Sequence, residues 1–406
     1  MPITFQHRQL PNGLTIIAET NPQAQSSAVG FFVKTGSRDE TPDVMGVSHY
    51  LEHMVFKGTA KRSADDVNRQ FDQIGASYNA WTSQENTVFY AHVLPEYLSD
   101  AVDLLGDILR PALRDADFEM EKNVILEEIG MYEDRPSWRL QDTIIEKYFG
   151  KHPMSYRVLG TEASVKALTA EQMRGYFEAK YCPSRMVVSA SGQLDFEKLV
   201  VDIEKSCGHW KKTSPSRTYQ PVEVVCGREA IIDAEVNRHY IAMMTPAPSA
   251  QDPLRYAAKV LTDVIGDTDG SRLYWDLVDK GIAEEADLAY FPHDRVGSFF
   301  AYASCDPDRA QQVETQMIKT IESYVSSIDE AEIQRVKNKL ATEVVLAGES
   351  VSGRMQGLGG QWVYSGKYIP LEQELEALMN VSSDDLRALI SHYDFSQRRL
   401  VTLGPA

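Results

Sequence analysis

The sequence predicts an α+β protein made of two similar halves, and three observations lead there. The chain has 406 residues, enough for two or three domains at about 150 residues each. Short β-branched runs are followed by long helical patterns, and the order of elements in the first half returns in the second, which points to an internal duplication of about 200 residues. Between them runs Lys211 to Pro221 (KKTSPSRTYQP), polar, with two prolines and no periodicity, which reads as a linker. The expected domains are therefore 1–212 and 222–406. Hydrophobic residues at 43% and charged residues at 25% exclude a disordered chain.

In order, Leu14 to Glu19 and Ser27 to Lys34 read as strands, broken by turn residues at Asn12-Gly13 and Gly36-Ser37. A helix is expected from about Gly46 to Phe56, stopped by Gly58, and another from near Ser63. Ala76 to Thr82 and Thr87 to Val93 form a hairpin with Ser83 to Asn86 in its turn. Long helical patterns follow at Leu98 to Leu109 and Ala116 to Tyr132, then a strand at Met186 to Ser191. The second half repeats this. It has strands at Ile231 to Ala234 and Arg238 to Met244, then helices at Asp252 to Ile265 and Ser271 to Lys280. A strand pair follows at Asp287 to Tyr290 and Gly297 to Ser304, then helices at Asp306 to Ser326 and Asp329 to Leu346, and a last strand at Arg399 to Leu403.

The 41 Lys and Arg against 59 Asp and Glu give a net charge of −18, which argues against a general nucleic-acid binder. The excess serves solubility or attracts cationic ligands. Cys182, Cys207, Cys226 and Cys305 make no C-x-x-C pair and read as reduced thiols. The N-terminal MPITFQHRQLPNG carries no apolar signal core, and no run approaches 18 apolar residues. A bacterial cytoplasmic location, away from membranes, is the expectation.

The informative motif is His49-Tyr50-Leu51-Glu52-His53 inside a predicted helix. Histidines four apart stand one turn above each other and can share one zinc ion. Glu52, three residues from His49, leans over the same site, where it can take the proton of a water on the metal. This is the H-x-x-E-H order. A catalytic zinc needs a third ligand, and Glu128 in FEMEKNVILEEIGMYED is the best candidate. Helical geometry puts Glu128 on the face of Val124, Ile125, Met131 and Tyr132, while Glu127 points about 100° away. A carboxylate in an apolar stripe needs a counter-charge, which zinc supplies. Glu121, two turns earlier on the same face, either orients a histidine ligand or is a helix N-terminal acid.

With these residues in place, the chain resembles the pitrilysin-type (inverzincin) zinc peptidases, in the short two-domain branch that includes mitochondrial processing peptidase and its bacterial relatives. The resemblance runs over nearly the whole length, through GSRDE (Gly36 to Glu40), MGVSHYLEHMVFKGT (Met45 to Thr59), ASYNAWTSQENTVFY (Ala76 to Tyr90), EKNVILEEIGMYEDRP (Glu121 to Pro136) and GSRLYWDLV (Gly270 to Val278). It implies two similar domains, each a mixed or antiparallel sheet with helices mainly on one face, the first binding zinc and the second an inactive repeat. It implies one zinc per chain on His49, His53 and Glu128, with Glu52 as general base and Glu121 as supporting acid. It also implies an endopeptidase for unfolded or extended peptides, and the net charge favours basic ones.

Ala76 to Thr82 matches the family's edge strand, which pairs with extended peptide, and Asn79 and Ala80 carry over as substrate-binding positions; their plain alternative is an ordinary hairpin strand. One departure stands out. Active relatives resemble L-R-x-K-x-G-L-x-Y in the second half, whereas Leu277 to Glu284 has Val278 where the arginine is expected and no tyrosine. The resemblance therefore implies a heterodimer whose paralogue supplies the pair, a homodimer with other donors, such as Arg272, Tyr274 or Tyr290, or an enzyme of low activity. The rival readings are a non-catalytic assembly subunit and a peptide-binding module.

Overall fold

The computed structural model describes residues 3–213 and 217–405. The chain divides into two compact units, each assembled from separated segments. The first takes Met1–Gly130, Tyr156–Tyr219 and Leu346–Tyr368; the second takes Met131–Ser155, Gln220–Val345 and Ile369–Ala406. One crossing falls at Tyr219, within the segment expected as linker; residues 214–216 of that segment lie outside the described residues. The others amend the expected domains of 1–212 and 222–406, because each half contributes one helical segment to the other unit.

The first unit is built on a six-stranded sheet of β1 (Thr4–Gln9), β2 (Thr15–Thr20), β3 (Ser27–Val33), β4 (Ser77–Thr82), β5 (Thr87–Val93) and β6 (Met186–Gly192), in the order β1-β2-β6-β3-β5-β4. Only β2 and β6 run parallel. Every residue of β3 is buried, so both faces of this sheet are covered. On one face pack α1 (Val47–Val55), α2 (Ala64–Gln73), α3 (Leu98–Ile108) and α4 (Asp115–Glu133), around Phe31, Phe89, Leu105 and Ile125. On the other lies the helix Val351–Ser365, whose Met355, Leu358 and Val363 meet Ile17, Phe32 and Val88. That helix escaped the sequence reading because four glycines lower its intrinsic propensity. Close approach explains two of the glycines in this layer. A Cβ on Gly359 would sit 2.3 Å from the Phe32 ring, and one on Gly30 would sit 2.6 Å from Met355 Sδ.

The second unit holds β7 (Gly227–Ile232), β8 (His239–Ala247), β9 (Glu285–His293), β10 (Val296–Cys305) and β11 (Arg399–Gly404), ordered β7-β11-β8-β10-β9. Here β7 and β11 run parallel and the remaining pairs antiparallel. Read strand for strand, this is the first sheet without β1, which gives the duplication a topological basis. The helix α5 (Pro136–Phe149) lays Leu140, Ile144, Tyr148 and Phe149 against Ala242, Met244 and Val401 of this sheet. Two expectations shift locally. β7 begins four residues before Ile231 through a polar, half-exposed edge, and Tyr274–Val278 winds as a π-helix.

Candidate metal centre

The helix α1 starts where the chain must turn sharply. Gly46 has φ +93, and a Cβ there would sit 2.7 Å from Leu159 O, so glycine is required. The first amides of a helix lack intrahelical acceptors. Glu40 supplies one, its two carboxylate oxygens accepting from Gly46 N and Ser48 N, each at 2.7 Å. Burial pushes the Glu40 carboxyl up to about 8, and the Ser48 and Gly46 amides oppose that rise. Val47, Tyr50, Leu51, Met54 and Val55 fill the core. The core side of α1 leaves His49, Glu52 and His53 directed to one flank.

The helix α4 is clasped to α1 by a contact that sequence spacing does not reveal. The Tyr50 ring stacks on Phe118 with centroids 4.7 Å apart and 10° between planes, and its hydroxyl donates to Phe118 O. This pairing sets the rotation of α4, so Glu121 and Glu128 face the two histidines. Glu127 is exposed, and Glu128 is half-buried. The stripe expected around Glu128 needs correction. Ile125 is buried, but Val124 is 45% and Met131 60% exposed, and the buried face is Phe118, Glu121, Ile125 and Ile129. Apolar type did not predict the buried side here, because the clasp and not the helix's own amphipathicity sets its orientation.

His49 Nε2 and His53 Nε2 each lie 3.7 Å from Glu128 Oε2. The imidazoles stand edge to face, 4.7 Å between centroids. Ligand atoms of the three residues all fall within 4.8 Å of one another, the one such group among the described residues. A tetrahedral zinc with bonds of about 2.0–2.2 Å spaces its ligand atoms about 3.4 Å apart, so the two 3.7 Å separations between the histidines and Glu128 need to close by only tenths of an ångström.

The electrostatics also fit a divalent cation. His49 is held neutral, its pKa pushed down to about 3 by burial and then by His53. Its buried Nδ1 has no hydrogen-bond partner. His53 Nδ1 lies 2.8 Å from Glu121 Oε1. An ionised carboxylate only accepts, so the proton sits on Nδ1 and the Nε2 lone pair faces Glu128. Burial would lower His53, but the Glu121 hydrogen bond and the nearby carboxylates raise it overall. Lys57 pairs with the other oxygen of Glu121. Burial would raise Glu121, yet His53 and Lys57 bring it below the usual carboxylate range. Glu128 and Glu52 are both raised, in each case chiefly by burial. Three carboxylates thus converge on two imidazoles and one lysine, a set short of positive charge.

Glu52 stands outside the ligand group and accepts a hydrogen bond from Thr82 Oγ1 at 2.6 Å. Thr82 ends β4, the strand at the sheet's edge. On it Tyr78, Ala80 and Thr82 are half-buried, while Ser77, Asn79 and Trp81 are exposed. The Asn79 side-chain oxygen accepts from Ala80 N at 2.9 Å. Thr82, Lys57, Tyr50 and Glu40 were all missed by sequence reasoning. Only tertiary contact distinguishes them, although Lys57, four residues past His53, carried a weak helical-spacing signal. In the second unit, Arg272 is engaged by Glu332 and Ser327 and lies over the Tyr324 ring, and Tyr290 donates to Pro248 O at 2.8 Å. Tyr274 packs edge-on against Trp275.

Two family models match the sequence: insulinase (peptidase family M16) over residues 15–162, and the peptidase M16 inactive domain over residues 167–340. The chain belongs to peptidase family M16. Among M16 relatives, an uncharacterized zinc protease of Mycobacterium tuberculosis is 32% identical, covering 98% of this chain and 92% of its own. An uncharacterized zinc protease of Bacillus subtilis is 29% identical over 97% of each. The fold matches a protease from Helicobacter pylori with a TM-score of 0.93 at 20% identity, covering all of both chains. It also matches a chain of complex III2 from Candida albicans with a TM-score of 0.85 at 19% identity, covering 98% and 95%. This chain is thus a two-domain M16 protein. Among its described residues, no helix is long and apolar enough to cross a membrane.

Proposed function

We propose that the chain is a zinc-dependent endopeptidase acting on extended peptides. The observation that carries this reading is the convergence of His49, His53 and Glu128 within 4.8 Å, with Glu52 beside them and outside the ligand group. Zinc bound there would polarise the scissile carbonyl and acidify the attacking water. Glu52 takes the water's proton and returns it to the leaving amine. Glu121 holds the His53 ring in its ligating tautomer. Thr82 keeps the Glu52 carboxylate in place, and the edge of β4 aligns the peptide by adding it as a strand.

The test is zinc content together with cleavage of a mixed peptide library, before and after chelation and after zinc is restored. One zinc per chain and reversible loss of cleavage are expected, with basic peptides favoured and that preference fading as salt rises. Bound zinc without cleavage would favour a peptide-binding module, and absence of zinc would favour an assembly subunit. The absence of the Arg/Tyr pair from Leu277 to Glu284 supports a second chain in the active form. A high rate from the isolated chain would remove that requirement. Ala80→Pro deletes the edge amide and is expected to raise KM for peptides about fivefold, with zinc content unchanged, since one backbone hydrogen bond contributes about 1 kcal/mol. Unaltered peptide kinetics would exclude strand addition at this edge.

A further inference from the structure

We propose that Arg217, in the linker, is a positioning residue for the active site: by fixing the turn of the β4–β5 hairpin, it holds Thr82 against Glu52. The inference rests on Glu52 being the base. Thr82 is the last residue of β4, and the turn begins at the next residue, with Ser83 N donating to Asn86 O at 2.8 Å. The turn is gripped by the segment Gly36–Asp39. Ser37 N donates to Ser83 O and Arg38 N to Gln84 O at 2.8 Å, and a Cβ on Gly36 would sit 2.2 Å from Ser83 O. Arg38 also pairs with Glu85 at 2.5 Å, with side chains 5% and 1% exposed.

Arg217 closes this grip from the linker. Its Nη2 donates to Glu85 O in the turn at 2.7 Å and to Asp39 Oδ2 at 2.6 Å, while its Nε donates to Asp39 Oδ1 at 3.1 Å. The Asp39 side chain, 3% exposed, is shared with Arg185 at 2.7 Å. Two residues further along the linker, the Tyr219 ring lies 5.3 Å from the Arg38 guanidinium. One guanidinium therefore bridges a buried carboxylate and a turn carbonyl, an arrangement that needs the planar fork of arginine. Without it, Glu85 O loses its charged donor and Asp39 Oδ2 keeps only the Gly36 amide at 3.3 Å, which weakens the charge pairing of a buried carboxylate. The lost acceptor, Glu85 O, belongs to the turn, and Thr82 is joined to that turn directly. A displacement of about 1 Å at a catalytic group can lower turnover about a hundredfold, so partial loosening should lower it about tenfold.

The test measures kcat and KM on an extended peptide, with zinc content, for Thr82→Val, Thr82→Ser, Arg217→Lys and the double variant Arg217→Lys/Thr82→Val. Thr82→Val should lower kcat about tenfold at unchanged KM and zinc content, and Thr82→Ser, which keeps the hydroxyl, should recover most of that loss. Arg217→Lys keeps the charge facing Asp39 but cannot fork to Glu85 O. It should lower kcat roughly threefold to tenfold, and the double variant should be no slower than Thr82→Val alone. A wild-type kcat in Arg217→Lys, losses that multiply in the double variant, or a loss that tracks missing zinc would overturn the proposal. Wild-type cleavage by Glu52→Gln would instead remove the base assignment itself, so the two failures are told apart.

Discussion

Glu52→Gln is expected to abolish peptide cleavage while leaving zinc in place. A general base contributes about 10²–10⁴ in rate, or roughly 3–5 kcal/mol of barrier. The substitution is clean for structural reasons. Glu52 lies outside the group that can hold the metal, so its loss removes no ligand. The amide oxygen of glutamine can still accept from Thr82, now 2.6 Å from Glu52 Oε2, so the side chain should keep its rotamer. What disappears is the basic oxygen. The predicted pattern is a collapse in kcat with KM, zinc stoichiometry and melting temperature near wild type. A variant that keeps more than about a tenth of the wild-type kcat would be incompatible with Glu52 acting as base.

How far the site was legible follows from where the information sits. His49, Glu52 and His53 occupy one turn of one helix, so helical period alone brings them together. Glu128 was separable from Glu127 by the same geometry, although the apolar stripe invoked for it was half wrong, with Val124 and Met131 facing outward. Helical period says which residues share a face, but the direction of that face depends on what the helix meets. Here Tyr50 and Phe118 decide it, and they lie 68 residues apart. The same limit hid Glu40, which caps α1 across the intervening turn, and Thr82, which reaches Glu52 from another element. The succession of strands and helices in the second half could be read as a repeat because apolar runs and turn residues are local signals. The placement of α5 and Val351–Ser365 in opposite units could not, since only the apolar faces they cover reveal it.

Removing a ligand should separate the metal from the fold. His49→Ala is expected to lose zinc and cleavage together and still fold. Its side chain is neutral, 7% exposed, and leaves a buried Nδ1 without a partner, so it does little for the metal-free protein. Glu121→Gln provides the graded comparison. It retains an acceptor for His53 Nδ1 but loses the charge that Lys57 and His53 share. Changes at such supporting carboxylates weaken metal affinity by about 10–100-fold, so loss of a direct ligand should exceed that range. Thermal unfolding reads the difference without reference to activity. Zinc at about a hundred times its dissociation constant stabilises the folded state by about 2.7 kcal/mol. Wild type should therefore melt at higher temperature when zinc is added, Glu121→Gln should need more zinc for the same shift, and His49→Ala should show none. An equal zinc-induced shift in His49→Ala and wild type would mean that the ion binds elsewhere, and the assignment of His49, His53 and Glu128 as its ligands would fail with it.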